Sequence, residues 1–308
     1  MNDRLPTCAE WLRLVENPVR QELFVDDLYF RECWNDAVSL FGSGAIDIVS
    51  RAALMSFKPE AIVGRRMGQA LEIILAQRFV PVAFGSSTVS RHLIRELWRY
   101  DWTVFPIDRL VLSTFWYTST EMPFLLFRDP EALPAAVAAR RLSRLKGAYK
   151  NGQYSRGSLR QMLDSPNRML NFVHIADEPA DVVRELGIAF ARNERLAVLK
   201  KLAMQADSSG PMLEYFDNLY ARYPAHDLRF DRSLQRLCDS GRLLPRDADY
   251  LRCLAANDRC IGWDELVEMT EPDIAWQRWD FICVASRVIH ALRPDQFRSP
   301  TKGASHAR

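Results

Sequence analysis

Residues 169–190 read MLNFVHIADEPADVVRELGIAF. The run is apolar as far as His174, is broken by Asp177-Glu178-Pro179, and resumes with Val182, Leu186 and Phe190 at helical spacing. It predicts a strand over 168–173, a turn, and a helix that opens at Asp177 or Glu178 and runs to about Arg192. Asn171 and His174 then stand at the strand end, Asp177 on the turn and Glu185 on the helix. A neutral imidazole held by a carboxylate keeps one tautomer and directs its other nitrogen outward as a nucleophile. The same residues, read alone, also describe a satisfied core histidine, so the rest of the chain has to decide between the two.

Working upstream, 52–57, 79–84 and 123–127 are short apolar runs bounded by turn residues, hence three further strands. Between them lie amphipathic stretches. Residues 60–78 carry Val63, Met67, Ala70, Leu71, Ile74 and Leu75 on one face. Residues 89–100 group Leu93, Leu97 and Trp98, and 133–146 end in the basic run Arg140, Arg141, Arg144 and Lys146. Residues 147–157 form a polar loop, whereas 101–121 are aromatic-rich and give no clear periodicity. The alternation β-α-β-α-β-α-β-α predicts an α+β fold, a ferredoxin-like four-stranded antiparallel sheet with helices on one face.

Outside this core, residues 1–48 space Leu12, Val15 and Val19 as a helix and form an N-terminal helical extension. Ala206-Asp-Ser-Ser-Gly-Pro211 has the composition of a linker. Residues 196–293 are all-helical, with Met212, Phe216, Leu219, Tyr220 and Tyr223 in register and Ile274, Ile282, Ala285 and Ile289 repeating the pattern. The polar segment 294–308 reads as a disordered tail.

The 308 residues suffice for two domains, with 48% hydrophobic and 26% charged residues as in ordinary globular proteins. A net charge of +2 gives no basis for a nucleic-acid partner. No apolar run nears the roughly 18 residues of a membrane span, and the N-terminus lacks the apolar segment of a secretory signal. Six cysteines without a CxxC pair read as reduced thiols of a cytoplasmic protein rather than zinc ligands. No glycine-rich Walker loop is present, so phosphates would have to be held by side chains.

An ordered set of motifs surrounds the opening segment. Ser56-Phe57-Lys58-Pro59-Glu60 ends the first strand, Leu93-Ile-Arg-Glu-Leu-Trp98 lies on the second helix, Gly157-Ser-Leu-Arg160 precedes the last strand, and Asn171-Phe-Val-His174 ends it. In this order they resemble the nucleoside diphosphate kinase family over residues 49–195. The resemblance implies a ping-pong phosphotransfer in which His174 takes the γ-phosphoryl of a nucleoside triphosphate and passes it to a nucleotide-like acceptor. Glu185 would bond the far side of the imidazole. Lys58 and Asn171 would contact the ribose hydroxyls near the reacting phosphate, Arg160 and one of Arg141 or Arg144 would bind phosphate, and Trp98 would stand near the γ-phosphate. Mg²⁺ is expected on the nucleotide phosphates, with no metal ligands from the protein.

The chain departs from that pattern in two places. Ile175-Ala176 follow the histidine where the family has Gly-Ser, so the hydroxyl that supports the catalytic glutamate is absent. The segment Arg141-Leu-Ser-Arg-Leu-Lys-Gly147-Ala-Tyr149 lacks the family's phosphate-binding threonine, which Tyr149 would have to replace. Residues 196–308 have no counterpart in the family pattern and are a candidate surface for a protein partner or for self-association. A non-catalytic nucleotide-binding or scaffold protein acting through that helical region is the alternative to an enzyme.

Overall fold

In the computed structural model, residues 4–133, 137–150, 152–270 and 278–292 are described, so the tail 294–308 and Ile274 lie outside the described residues. Helices α1 (Cys8–Leu14), α2 (Pro18–Phe24), α3 (Leu28–Phe41) and α4 (Ala45–Ser50) precede the first strand, β1 (Ala52–Phe57). Then come α5 (Pro59–Val63), α6 (Met67–Ala76), β2 (Val80–Ser87), α7 (Arg91–Leu97), α8 (Ile107–Tyr117) and β3 (Met122–Arg128). They are followed by α9 (Ala138–Lys146), the two-stranded hairpin β4 (Tyr149–Lys150) and β5 (Gln153–Tyr154), α10 (Leu159–Met162), β6 (Val173–Ile175), α11 (Pro179–Ala189), α12 (Arg192–Ala203) and α13 (Ser209–Arg222). Among the described residues four more helices follow: α14 (Phe230–Asp239), α15 (Pro245–Ala256), α16 (Trp263–Thr270) and α17 (Arg278–Val288).

The main sheet has the order β2-β3-β1-β6, and every pair is antiparallel. Counted among its own four strands this is 2-3-1-4, the ferredoxin-like arrangement. All six residues of β1 are buried, because both faces of the sheet are covered. On one face Phe124, paired with Ser56, meets Phe190 just beyond α11, with ring centroids 6.0 Å apart. On the other, Phe57 meets Phe216 of α13 edge-on at 5.5 Å. The expectation of helices on one face alone is thus corrected. A buried central strand must shed its polar contacts on both sides, and the apolar run 52–57 is composed for that.

Several element bounds shift for local reasons. The helix expected over 60–78 is broken at Gly64–Arg66, where Arg65 has φ 57° and donates to the carbonyls of Tyr220 (2.9 Å) and Tyr223 (2.7 Å). Within the expected polar loop 147–157, Tyr149 pairs with Tyr154 and Lys150 with Gln153, which makes β4 and β5. The expected strand 168–173 moves downstream to Val173–Ile175, so His174 sits in the middle of β6 and Asn171 precedes it.

Two compact units divide the chain, Met1–Leu97 with Tyr117–Asp227, and Trp98–Trp116 with Leu228–Arg308. This differs from divisions at 48 and 195. The N-terminal helices belong to the first unit because α3 packs along α11. There Arg184 pairs with Asp27 (2.7 Å) and Arg195 with Asp36 (2.7 Å), all four side chains being buried. The linker-like segment around Ser208 is also part of this unit. Ser208 donates its N–H to Pro81 (2.8 Å) and its hydroxyl to Val82 (2.9 Å), satisfying carbonyls on the edge strand β2.

The second unit is helical. Phe281 of α17 packs edge-on against Phe115 (5.6 Å) and Trp263 (5.4 Å), and Asp280 pairs with Arg236 at 2.6 Å. The aromatic stretch 101–121, unassigned by periodicity, supplies most of α8 to this unit.

Candidate functional site

β6 is an edge strand of three residues, paired among the described residues to β1 alone, with His174 opposite Ser56. Its alternate residues face two ways. Ala176 donates to Leu54 (3.0 Å) across the β1 pairing, which turns the carbonyls of Val173 and Ile175 outward. Arg160 donates to Val173 O at 3.0 Å and Lys146 to Ile175 O at 3.3 Å. Two cations therefore cap the open edge on either side of His174.

The imidazole is half-buried, and its Nε2 lies 2.8 Å from Oε1 of Glu185. Glu185 is 5% exposed, on the inner face of α11. The helix reaches β6 through the turn Ala176–Glu178 and starts with Pro179 at its first position, where the missing N–H costs nothing. Eleven residues separate the two side chains in sequence, and the strand–turn–helix unit closes that gap. With Nε2 committed to the carboxylate, Nδ1 is the nitrogen on the other side of the ring. Glu185 Oε2 and the hydroxyl of Ser56 are buried polar atoms with no hydrogen-bond partner among the described residues.

Asp177 follows on the turn and binds Lys146 Nζ at 2.6 Å and the hydroxyl of Ser143. Burial works to raise its pKa but is outweighed by Lys146, by the Ser143 bond and by the neighbouring His174. The net result holds the carboxyl down at about 2. Asp181, one turn further, contacts Arg20, and burial together with Glu185, Asp177 and Glu178 drives its pKa upward.

Lys58 and Asn171 meet, with Nζ 2.6 Å from Oδ1, and both are buried. Arg160 also reaches Gly147 O at 3.5 Å and lies over the Tyr154 ring. Burial lowers the Arg160 pKa and pushes the Tyr154 hydroxyl up to about 12. Tyr154 in turn donates to Asn167 O at 2.8 Å.

The structure thus gathers His174, Glu185, Lys58, Asn171 and Arg160 around β6. Arg141 is not among them. It binds Asp129 and Gln77 O beside the Arg128–Ala52 pair, four residues along β1 from Ser56, or about 13 Å. Asp129 is fully buried, so the arginine there neutralises an internal carboxylate. Arg144 is exposed on α9. Trp98 belongs to the second unit, edge-on to Trp102 at 6.0 Å.

Lys146, Asp177 and Glu60 also lie at the site, where no sequence motif assigned them a role. Lys146 and Asp177 are 31 positions apart, a separation with no periodic signature. The Lys-Pro-Glu tripeptide did carry a signal for Glu60, which is fully buried.

No family model matches the chain, and no curated protein matches it. Among solved structures it is similar to the nucleoside diphosphate kinase of Aquifex aeolicus, at 16% identity over 46% of this chain and 95% of that one, with a TM-score of 0.38. It is also similar to the Borrelia burgdorferi enzyme, solved as a transition-state mimic with vanadate and ADP (16% identity, 46% and 88% coverage, TM-score 0.40). A family protein from Babesia bovis aligns at 14% identity over 46% and 90%, with a TM-score of 0.38. The ferredoxin-like assignment stands on the strand order and registers given above. No helix among the described residues is long and apolar enough to cross a membrane.

Proposed function

We propose that this chain is a phosphotransferase that carries a phosphoryl group on His174 between a nucleoside triphosphate and a nucleotide or nucleotide-like acceptor. The observation that carries the reading is the 2.8 Å contact of His174 Nε2 with buried Glu185. A ring with Nε2–H donated to a carboxylate has its lone pair on Nδ1 and a counter-charge for the cation that forms on attack. In the proposed step Nδ1 bonds to the γ-phosphorus as the bridging oxygen bond breaks, and the nucleoside diphosphate leaves. An acceptor oxygen then attacks phosphorus and the N–P bond breaks, restoring the imidazole.

Such transfer depends on position and on charge around the peripheral oxygens. Lys58, Asn171 and Arg160 are the side chains on this unit for that task. Mg²⁺ enters this proposal bound to the nucleotide phosphates.

A second reading has its own observation. Lys58, Lys146 and Arg160 are already hydrogen-bonded inside the protein, so a phosphate would have to compete with Asn171 Oδ1, Asp177 and four main-chain carbonyls. That favours a non-catalytic binding protein whose helical unit serves a partner. Incubation with Mg²⁺ and ATP or GTP, followed by intact mass measurement, separates the two. The phosphotransferase yields one acid-labile phosphoryl adduct that is lost in His174→Ala. Nucleotide binding with no adduct would establish the second reading.

A further inference from the structure

The entry to β6 is held by a carboxylate that has no place in the proposed transfer step. Phe172 has φ 66°, in the left-handed region that bulky residues rarely occupy. With Asn171 before it, this turns two successive N–H groups to the same side, the concavity that elsewhere receives an anionic ligand. Here the anion is internal. Glu60 Oε1 accepts from Asn171 N at 3.0 Å and from Phe172 N at 2.9 Å. Lys58 N donates to Phe172 O (2.9 Å), and Val173 N closes onto Asn171 O (2.8 Å).

One tripeptide therefore grips Asn171 twice. Lys58 takes its side-chain oxygen, and Glu60, one residue past the proline that starts α5, takes its main chain. Three residues later the chain reaches His174. A three-residue edge strand with one neighbour has little means of fixing its own start, and a one-residue slip would turn the histidine to the opposite face.

We propose that Glu60 is a positioning residue: it fills the amide concavity at Asn171 and Phe172 and thereby sets the register and ring orientation of His174. The inference rests on the reading of His174 as phosphoryl carrier, but its first test does not. Glu60→Gln keeps an acceptor oxygen at nearly the same place and removes the charge. In nitrogen-15 NMR of nucleotide-free protein, wild type is expected to show one His174 tautomer with a slowly exchanging Nε2 proton. Glu60→Gln is expected to show a broadened or lost signal while the melting transition persists.

In the second arm, adduct formation from saturating Mg-ATP is expected to slow about tenfold in Glu60→Gln, the difference between a charged and a neutral acceptor. An unchanged ring signal in the variant overturns the proposal, whatever the rate does. Absence of any adduct in wild type overturns the phosphotransfer reading instead and leaves the NMR result to decide on Glu60. Should Glu60→Gln fail to fold, amide exchange in wild type decides. Slow exchange at both Asn171 and Phe172 supports the clamp, and loop-like exchange at either overturns it.

Discussion

Gly187→Ala is expected to destabilise the chain, against the sign of helix propensity. Gly187 lies inside α11, where replacing glycine by alanine ordinarily stabilises by about 0.5–1 kcal/mol. A Cβ at this position would stand 2.8 Å from the carbonyl carbon of Tyr29 on α3 and nearer still to its oxygen. Ordinary contact begins at 3.4 Å, so α3 and α11 would have to separate by more than half an ångström against main-chain atoms that cannot rotate away. Overpacking of this kind costs about 1–3 kcal/mol. The upper end applies because separation also stretches the buried Arg184–Asp27 pair, now 2.7 Å. Net of propensity, a loss of about 2 kcal/mol is expected, and with a urea m-value of about 2 kcal/mol/M the midpoint falls by about 1 M. The assay is urea unfolding followed by near-UV circular dichroism, with amide exchange to locate the weakened contact on α3 and α11. A midpoint equal to or above wild type would refute the close-approach account of this helix pair. Glu185 sits two residues earlier on the same helix, so the variant is also expected to broaden the His174 ring signals.

Glu185→Gln retains shape and loses charge opposite His174 Nε2, and adduct formation is expected to slow about tenfold with little change in melting temperature. An unchanged rate would remove Glu185 from the chemistry. Arg141→Gln leaves the fully buried Asp129 without its cation and is expected to cost about 3 kcal/mol of stability, measured by denaturant unfolding. Weakened nucleotide binding at unchanged stability would instead make Arg141 a phosphate ligand. Asp177, held at about 2, contributes stability present above the unfolded value near 4 and lost as pH falls through the folded one. Asp177→Asn should therefore be less stable than wild type at pH 6, with the gap closing between pH 4 and 2. Because the side chain is 47% exposed, screening keeps that gap below about 1 kcal/mol. A gap that persists at pH 2 would contradict the Lys146 pairing.

The sheet was legible because its signals are local. The runs 52–57, 79–84 and 123–127 fall on β1, β2 and β3 within a few residues, since a buried strand needs an unbroken apolar stretch wherever the chain later places it. The five-residue difference between the expected start of the last strand, 168, and its actual start at Val173 has an equally specific cause. Leu170 and Phe172 are apolar and buried, yet Phe172 takes φ 66° under the hold of Glu60, and pairing begins only at Val173. The break at Arg65 was hidden in the same way, being stabilised by carbonyls more than 150 residues away.

By itself the sequence determined the alternation of elements along residues 52–190, hence the ferredoxin-like sheet, whereas the pairing of His174 with Glu185 was what the family resemblance implied and the strand–turn–helix unit brings the two side chains together. The division of labour among the cations was decided by tertiary structure alone. Arg160 and Lys146 close the open edge beside His174, Arg141 serves the buried Asp129, and Arg144 stays in water. In composition these four residues are alike. What distinguishes them is which oxygen, if any, each one finds, and those oxygens lie 12 to 64 positions away, beyond the reach of any local pattern.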